Sequence, residues 1–140
     1  MISFNYECDF ALDNESAFAA WLTEVIKSEI KNEGEINYIF CDDDYLLEIN
    51  KQYLDHDTLT DIISFDYSVG NELHGDIFIS IERVKDNAAD FNVSFEDELK
   101  RVMVHGVLHY CGYKDKSDAD EQLMRVKEEE KMKMFHVKHN

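Results

Sequence analysis

The chain has no proline among its 140 residues, only five glycines, and 14 lysines and arginines against 31 aspartates and glutamates. Without proline, its turns rest on Gly, Asn and Asp, the other residues that suit turn dihedrals. The formal net charge of −17 excludes broad, non-specific binding of nucleic acid, because the phosphate backbone is held mainly by Lys and Arg. Cys8, Cys41 and Cys111 are an odd number without paired spacing, each within an apolar run. They are expected to be reduced core residues rather than a disulfide framework. No apolar stretch approaches the length of a bilayer span, and Met1 to Glu7 lack a basic region followed by a long apolar one. These absences predict a cytoplasmic protein without membrane attachment. The length suffices for one domain over residues 1–140 with a real core, and no linker or repeat divides it.

What is present alternates between two periodicities. Ile2 to Cys8, with Phe4, Tyr6 and Cys8 on one side, predicts a strand. Phe18, Trp21, Leu22, Val25, Ile26 and Ile30 recur at helical spacing from about Ser16 to Lys31, with Gly34 as the expected stop. Glu35 to Cys41 alternates as a second strand, and Asp42 to Asp44 cap a short helix carrying Tyr45, Leu46, Ile49 and Tyr53. Tyr53 to Leu59 is polar enough for a loop. Asp61 to Tyr67 is strand-like, Ser68 to Leu73 make a turn, and Gly75 to Ile81 is the strongest strand, apolar throughout its middle. A polar helix is expected around Glu82 to Asn92. Ser94, with Asp97 three residues on, starts another. The last helix, about Ser117 to Met134, is expected to turn Leu123, Met124 and Val126 inward. The order β-α-β-α-β-β-α-α-α predicts an α+β domain, a mixed sheet of about four strands with four to five helices packed on it.

The most informative stretch is His105-Gly106-Val107-Leu108-His109-Tyr110-Cys111-Gly112-Tyr113-Lys114-Asp115. Residues four apart on a helix differ by about 40° in azimuth and about 6 Å in height, so His105 and His109 share a face. The helix from Leu99 to Cys111 is otherwise apolar nearly all round, so these imidazoles need partners. Gly112 can take the left-handed conformation that ends a helix and return Asp115 toward the two rings. The product is an N,N,O set with an open fourth position, as in hydrolytic zinc sites. His105, His109 and Asp115 are therefore the candidate ligands of one divalent ion, zinc, and act in catalysis through it. Lys100 and Arg101, one turn before His105, and Lys114 and Lys116 beside Asp115 are candidates for a local positive rim. The acidic runs at Asp118-Ala119-Asp120-Glu121 and Glu128-Glu129-Glu130 are expected to be solvated.

The run from His105 to Asp115, together with Thr60-Asp61-Ile62-Ile63-Ser64-Phe65 and Gly75-Asp76-Ile77-Phe78-Ile79-Ser80, resembles the YbeY family of single-domain bacterial endoribonucleases of rRNA maturation. The likeness covers most of the chain, with three motifs in register. It implies an α+β sandwich and a zinc or related divalent ion held by three histidines in a cleft. It also implies action on single-stranded RNA in rRNA maturation and ribosome quality control, with rRNA and the ribosomal small subunit as partners and a protein partner in assembly as an option. Two family ligands fall on His105 and His109. The third falls on Asp115, a carboxylate that is itself a competent zinc ligand. The alternatives are a two-histidine site or substitution by Asp120.

A second departure is Leu54, which stands where many family members carry an arginine implicated in RNA handling. His56, two residues on, is either a polar contact for substrate or a partner of Asp55 and Asp57. Lys114 and Lys116 are either phosphate contacts or solvated turn residues. Asp76 either orients a ligand histidine or caps its strand. Whether the nucleophile is water or a neighbouring 2′-hydroxyl stays open. Two other readings compete. One is a non-catalytic ribosome-assembly factor with a bound metal. The other is a zinc peptidase, whose ligand spacing is matched while Gly106 occupies the position of the catalytic glutamate.

Overall fold

The computed structural model describes residues 1–54 and 59–135. They run β1 (Ile2–Tyr6), α1 (Glu15–Ser28), β2 (Asn32–Cys41), α2 (Asp43–Leu54), β3 (Ile62–Asp66), β4 (Glu72–Ser80), α3 (Ile81–Phe91), α4 (Phe95–Tyr110) and α5 (Asp118–Met132). The sheet order is β1-β2-β4-β3, parallel from β1 through β2 to β4 and antiparallel between β4 and β3. This is the mixed four-stranded α+β architecture expected from the alternating periodicities, with β3 left as a free edge.

Period-two alternation sends Ile36, Tyr38 and Phe40 of β2 and Ile77 and Ile79 of β4 into the main core, all fully buried. There they meet Trp21, Leu22, Val25 and Ile26 of α1 and Val104, Val107 and Leu108 of α4. The opposite face of β3 and β4 is covered by α2, through Leu46 and Ile49 against Ile63, Phe65 and Phe78. Serine caps open three of the helices: Ser80, Ser94 and Ser117 accept the backbone N–H of Arg83, Asp97 and Asp120.

Two tyrosine hydroxyls seat α4 on the sheet: Tyr38 Oη donates to Met103 O at 2.7 Å and Tyr110 Oη to Phe65 O at 2.9 Å. Gly106 lets the helix approach closely, since a Cβ there would stand 3.0 Å from Ile77 Cδ1 and 3.3 Å from Ile62 Cδ1.

Several local expectations need correction. The first helix stops at Ser28 because Ile30 adopts a left-handed φ of 58° and Lys31 N–H returns to Ile26 O at 3.2 Å. A β-branched residue rarely does this, so no residue type advertised the stop. Gly34 instead lies within β2, where Leu73 O and the His74 ring would each be 2.5 Å from a Cβ. The strand expected from Gly75 begins at Glu72.

In α5, Leu123 and Val126 are 49% and 60% exposed, while Met124, Glu128 and Lys131 are buried. The inner face is polar because it meets ionic partners at the end of α1 and on α4: Lys131 Nζ lies 2.9 Å from Oε2 of Glu29, which caps α1, and Arg101 Nη1 3.2 Å from Glu128 Oε1. Burial of charge follows the partner, not the hydropathy. Cys41 is buried, Cys8 and Cys111 are half-buried, and all three are free thiols. Among the described residues no helix is long and apolar enough to cross a membrane.

Candidate metal centre and adjoining clefts

His105 and His109 project from the last two turns of α4, and the chain then turns back on itself. Gly112 has φ 107°, and Tyr113 N–H returns to Leu108 O at 3.1 Å. Tyr113 Oη donates to Glu29 Oε1 at 2.7 Å, which ties the loop to α1. Asp115 is thereby held over the histidine face.

The three donor atoms form a nearly equilateral triangle. His105 Nε2 and His109 Nε2 are 3.0 Å apart, and Asp115 Oδ2 lies 3.2 Å from each. A tetrahedral ion with bonds of about 2.0 Å has ligand–ligand edges of about 3.3 Å. The triangle is therefore one face of such a tetrahedron, and the three residues form the one potential metal-binding group among the described residues.

The tautomers agree with this geometry. His109 Nδ1 lies 2.9 Å from Tyr113 O, and a carbonyl only accepts, so Nδ1 carries the proton. His105 Nδ1 lies 2.6 Å from Glu128 Oε2. Burial pushes the Glu128 carboxyl up, but its hydrogen bond to His105 and the guanidinium of Arg101 outweigh this and hold it below the usual carboxylate range. It is ionised and accepts. Both Nε2 atoms then face one another and a carboxylate oxygen with lone pairs only, an arrangement that repels without a cation and suits one with it. The donor set fits a divalent metal.

Sequence reasoning missed Glu128, the orienting partner of His105, and placed it on a solvated acidic face. It is 2% exposed. Its one sequence signal is the shared face with Met124, four residues before. Arg101 was expected to contribute to a positive rim, but it is paired with Glu98 and Glu128, both buried. Lys100 is likewise engaged, 3.3 Å from Glu96 and over the Phe135 ring.

Asp76 accepts from Asn37 Nδ2 at 3.0 Å and orients no histidine among the described residues. Asp120 lies in the first turn of α5, outside the cluster. Lys114 and Lys116 are exposed and border neither cleft described below. Leu54 is the exposed last residue of α2. His56 lies outside the described residues.

The cluster stands where two clefts meet. One, of about 530 Å³, runs between α4 and α5 past Arg101, Gln122, Arg125 and Glu128. The other, of about 330 Å³, runs under the β3 edge past Thr60, Asp61, Ile62 and Ser64. Arg101, His105 and Asp115 border both.

A family model described as Endoribonuclease YbeY matches residues 4–136. The chain belongs to the YbeY family. It is 74% identical over 140 residues to Endoribonuclease YbeY of Flavobacterium psychrophilum, covering 100% of each chain. It is 56% identical over 136 residues to that of Christiangramia forsetii, covering 97% and 95%. It is also similar to the solution structure of TM1509 from Thermotoga maritima, with a TM-score of 0.73 and 29% identity over 96% of this chain and 89% of that one.

Proposed function

We propose that this chain is a metal-dependent endoribonuclease that cuts single-stranded RNA in rRNA maturation, holding one divalent ion, zinc, on His105, His109 and Asp115. The observation that carries the reading is the triangle of two lone-pair imidazole nitrogens and one carboxylate oxygen at 3.0–3.2 Å, at the junction of two clefts in a YbeY-family chain. When bound, such an ion supplies Lewis acidity toward a phosphodiester oxygen.

The chain's own residues do the rest. Glu128 and the Tyr113 carbonyl fix the two ring orientations. Gly112 and Tyr113 position the loop of Asp115. Thr60, just before β3, and Ser64 within it line the second cleft. Lys114 and Lys116 beside the site, and His56, which follows α2 in the sequence, are proposed as outer contacts for phosphate. The natural setting of this chemistry is the cytoplasm, with rRNA and the small ribosomal subunit as partners and with ribosome quality control as its consequence.

A peptidase would need a glutamate at position 106. That position faces Ile77 and Ile62 across a gap already tight for a methyl group, so no such side chain fits. The assembly-factor reading differs only in lacking cleavage. Metal-loaded protein incubated with single-stranded rRNA fragments and with casein, with and without chelator, separates the three. Chelator-sensitive RNA cleavage with intact casein is the expected result. Silence on both substrates favours the assembly factor, and casein cleavage favours the peptidase.

A further inference from the structure

Of the basic residues around the metal cluster, Arg101 is the nearest and the least available. It is bound by two buried carboxylates, so its charge is neutralised in place. Arg125 differs. It borders the cleft between α4 and α5, its side chain is 57% exposed, and its one ion pair among the described residues is at 4.0 Å, to Glu128 Oε1. Glu128 is already satisfied by Arg101 at 3.2 Å and by His105 at 2.6 Å. An exposed i,i+3 pair at that distance contributes little to stability, so the guanidinium is free to take another acceptor.

We infer that Arg125 is a substrate-binding residue, taking a phosphate of the single-stranded RNA next to the one that reaches the metal cluster. This rests on the endoribonuclease reading. The same cleft carries Asp118 and Glu121 on the first turn of α5, and their carboxylates repel a polyanion. Arg125 stands one to two turns further along the helix, beside the amide of Gln122. A planar fork of donors at that point matches a phosphate bidentately. The acidic turn and the arginine together select a path: the strand enters over Arg125 and Gln122, crosses α4 at His105, and continues under the β3 edge. Lys114 and Lys116 border neither cleft and meet the strand only as outer contacts beside this path. The shared border of the two clefts at Arg101, His105 and Asp115 makes the path continuous.

The test uses the full chain, metal-loaded, with a fluorescently labelled short single-stranded oligoribonucleotide. Arg125→Glu, Arg125→Lys and, as a remote control on α2, Lys51→Glu are compared with the parent for metal stoichiometry, RNA affinity against salt, and KM and kcat separately. Arg125→Glu is expected to keep its metal and to lose affinity on the order of tenfold at low salt. Its log–log salt slope should fall by about 0.7, the value for one single-strand phosphate contact. The change should appear in KM rather than kcat, with partial recovery in Arg125→Lys and none of these effects in Lys51→Glu. If the parent cleaves RNA while Arg125→Glu keeps the same affinity and slope, the assignment of Arg125 is overturned and the endoribonuclease reading stands. If the parent neither binds nor cleaves RNA with metal present, both fall together.

Discussion

Glu128 Oε2 sits 2.6 Å from His105 Nδ1, and this bond joins the last helix to the one that carries both clustered histidines. It decides which imidazole nitrogen carries the proton and turns the other toward His109 and Asp115. The centre is thus assembled from α4, the loop after it and α5, not from the His-x-x-x-His helix alone.

Removing that carboxylate should loosen the centre. Glu128→Ala is expected to lower metal affinity on the order of 10- to 100-fold, as for other carboxylates that orient ligand histidines. Glu128→Gln should lose less, because its amide oxygen still accepts from Nδ1–H. Competition against a chromogenic chelator measures both, and equal affinity in all three proteins would dissociate Glu128 from the centre.

Asp115 offers a complementary test. Asp115→Ala should leave a two-histidine site and a marked drop in affinity. Asp115→His should bind zinc at least as tightly as the parent, since the position follows a glycine turn and imidazole is a good zinc donor. A tenfold or greater loss in Asp115→His would mean that the loop holds a geometry only a carboxylate meets.

Two glycines near α4 should respond oppositely to alanine. At Gly75 a Cβ would run into Tyr110 Oη and the Phe65 carbonyl oxygen. It would therefore displace the hydroxyl that anchors the end of α4. A cost of roughly 1–3 kcal/mol is expected, together with weaker metal binding through His109. At Gly106 the nearest atoms are the flexible ends of Ile77 and Ile62 at 3.0 and 3.3 Å. Alanine there gains about 1 kcal/mol in helix propensity, which offsets the crowding. Urea midpoints that rank Gly106→Ala below Gly75→Ala would contradict this packing.

Stability should fall in acid for identifiable reasons. Arg83, and to a lesser extent Ser80, hold the Asp43 carboxyl below its ordinary value against the opposing effect of burial. Burial pushes Glu29 up, but Lys131 and Tyr113 outweigh it and hold Glu29 low. With folded values below unfolded ones, the unfolded chain binds more protons in acid. The stabilisation is complete above the unfolded carboxylate values of about 4 and is lost as pH falls through the folded ones. Asp43→Asn should therefore be less stable at neutral pH and show a flatter acid limb in urea unfolding, and a limb parallel to the parent's would refute the assignment. On the alkaline side, burial pushes Cys111 up to about 11 and Cys41 up to about 12. Their protonated forms favour the fold up to the ordinary thiol value, and that contribution is lost as pH rises through the folded ones.

What the sequence determined by itself was local. The helical period put His105 and His109 on one face, and Gly112 supplied the one left-handed turn that brings Asp115 back within six residues. Alternation in β2, the apolar run of β4 and the helical periods between them were strong enough to define the element order. Each of these depends on dihedral preference and side-chain spacing over a few residues, which the chain states outright.

Tertiary packing decided the rest. The partner of His105 lies 23 residues away, on a helix face whose hydropathy pointed the wrong way, because a buried Glu128 is stabilised by Arg101 and His105 rather than by apolar neighbours. Whether a cation near the site is free or neutralised, as Arg125 and Arg101 differ, depends on which carboxylates the fold brings beside it. Gly106 likewise acquired its meaning only when α4 settled onto Ile77 and Ile62. Burial and charge pairing are properties of neighbours in space, and those neighbours exist only once the chain has closed on itself.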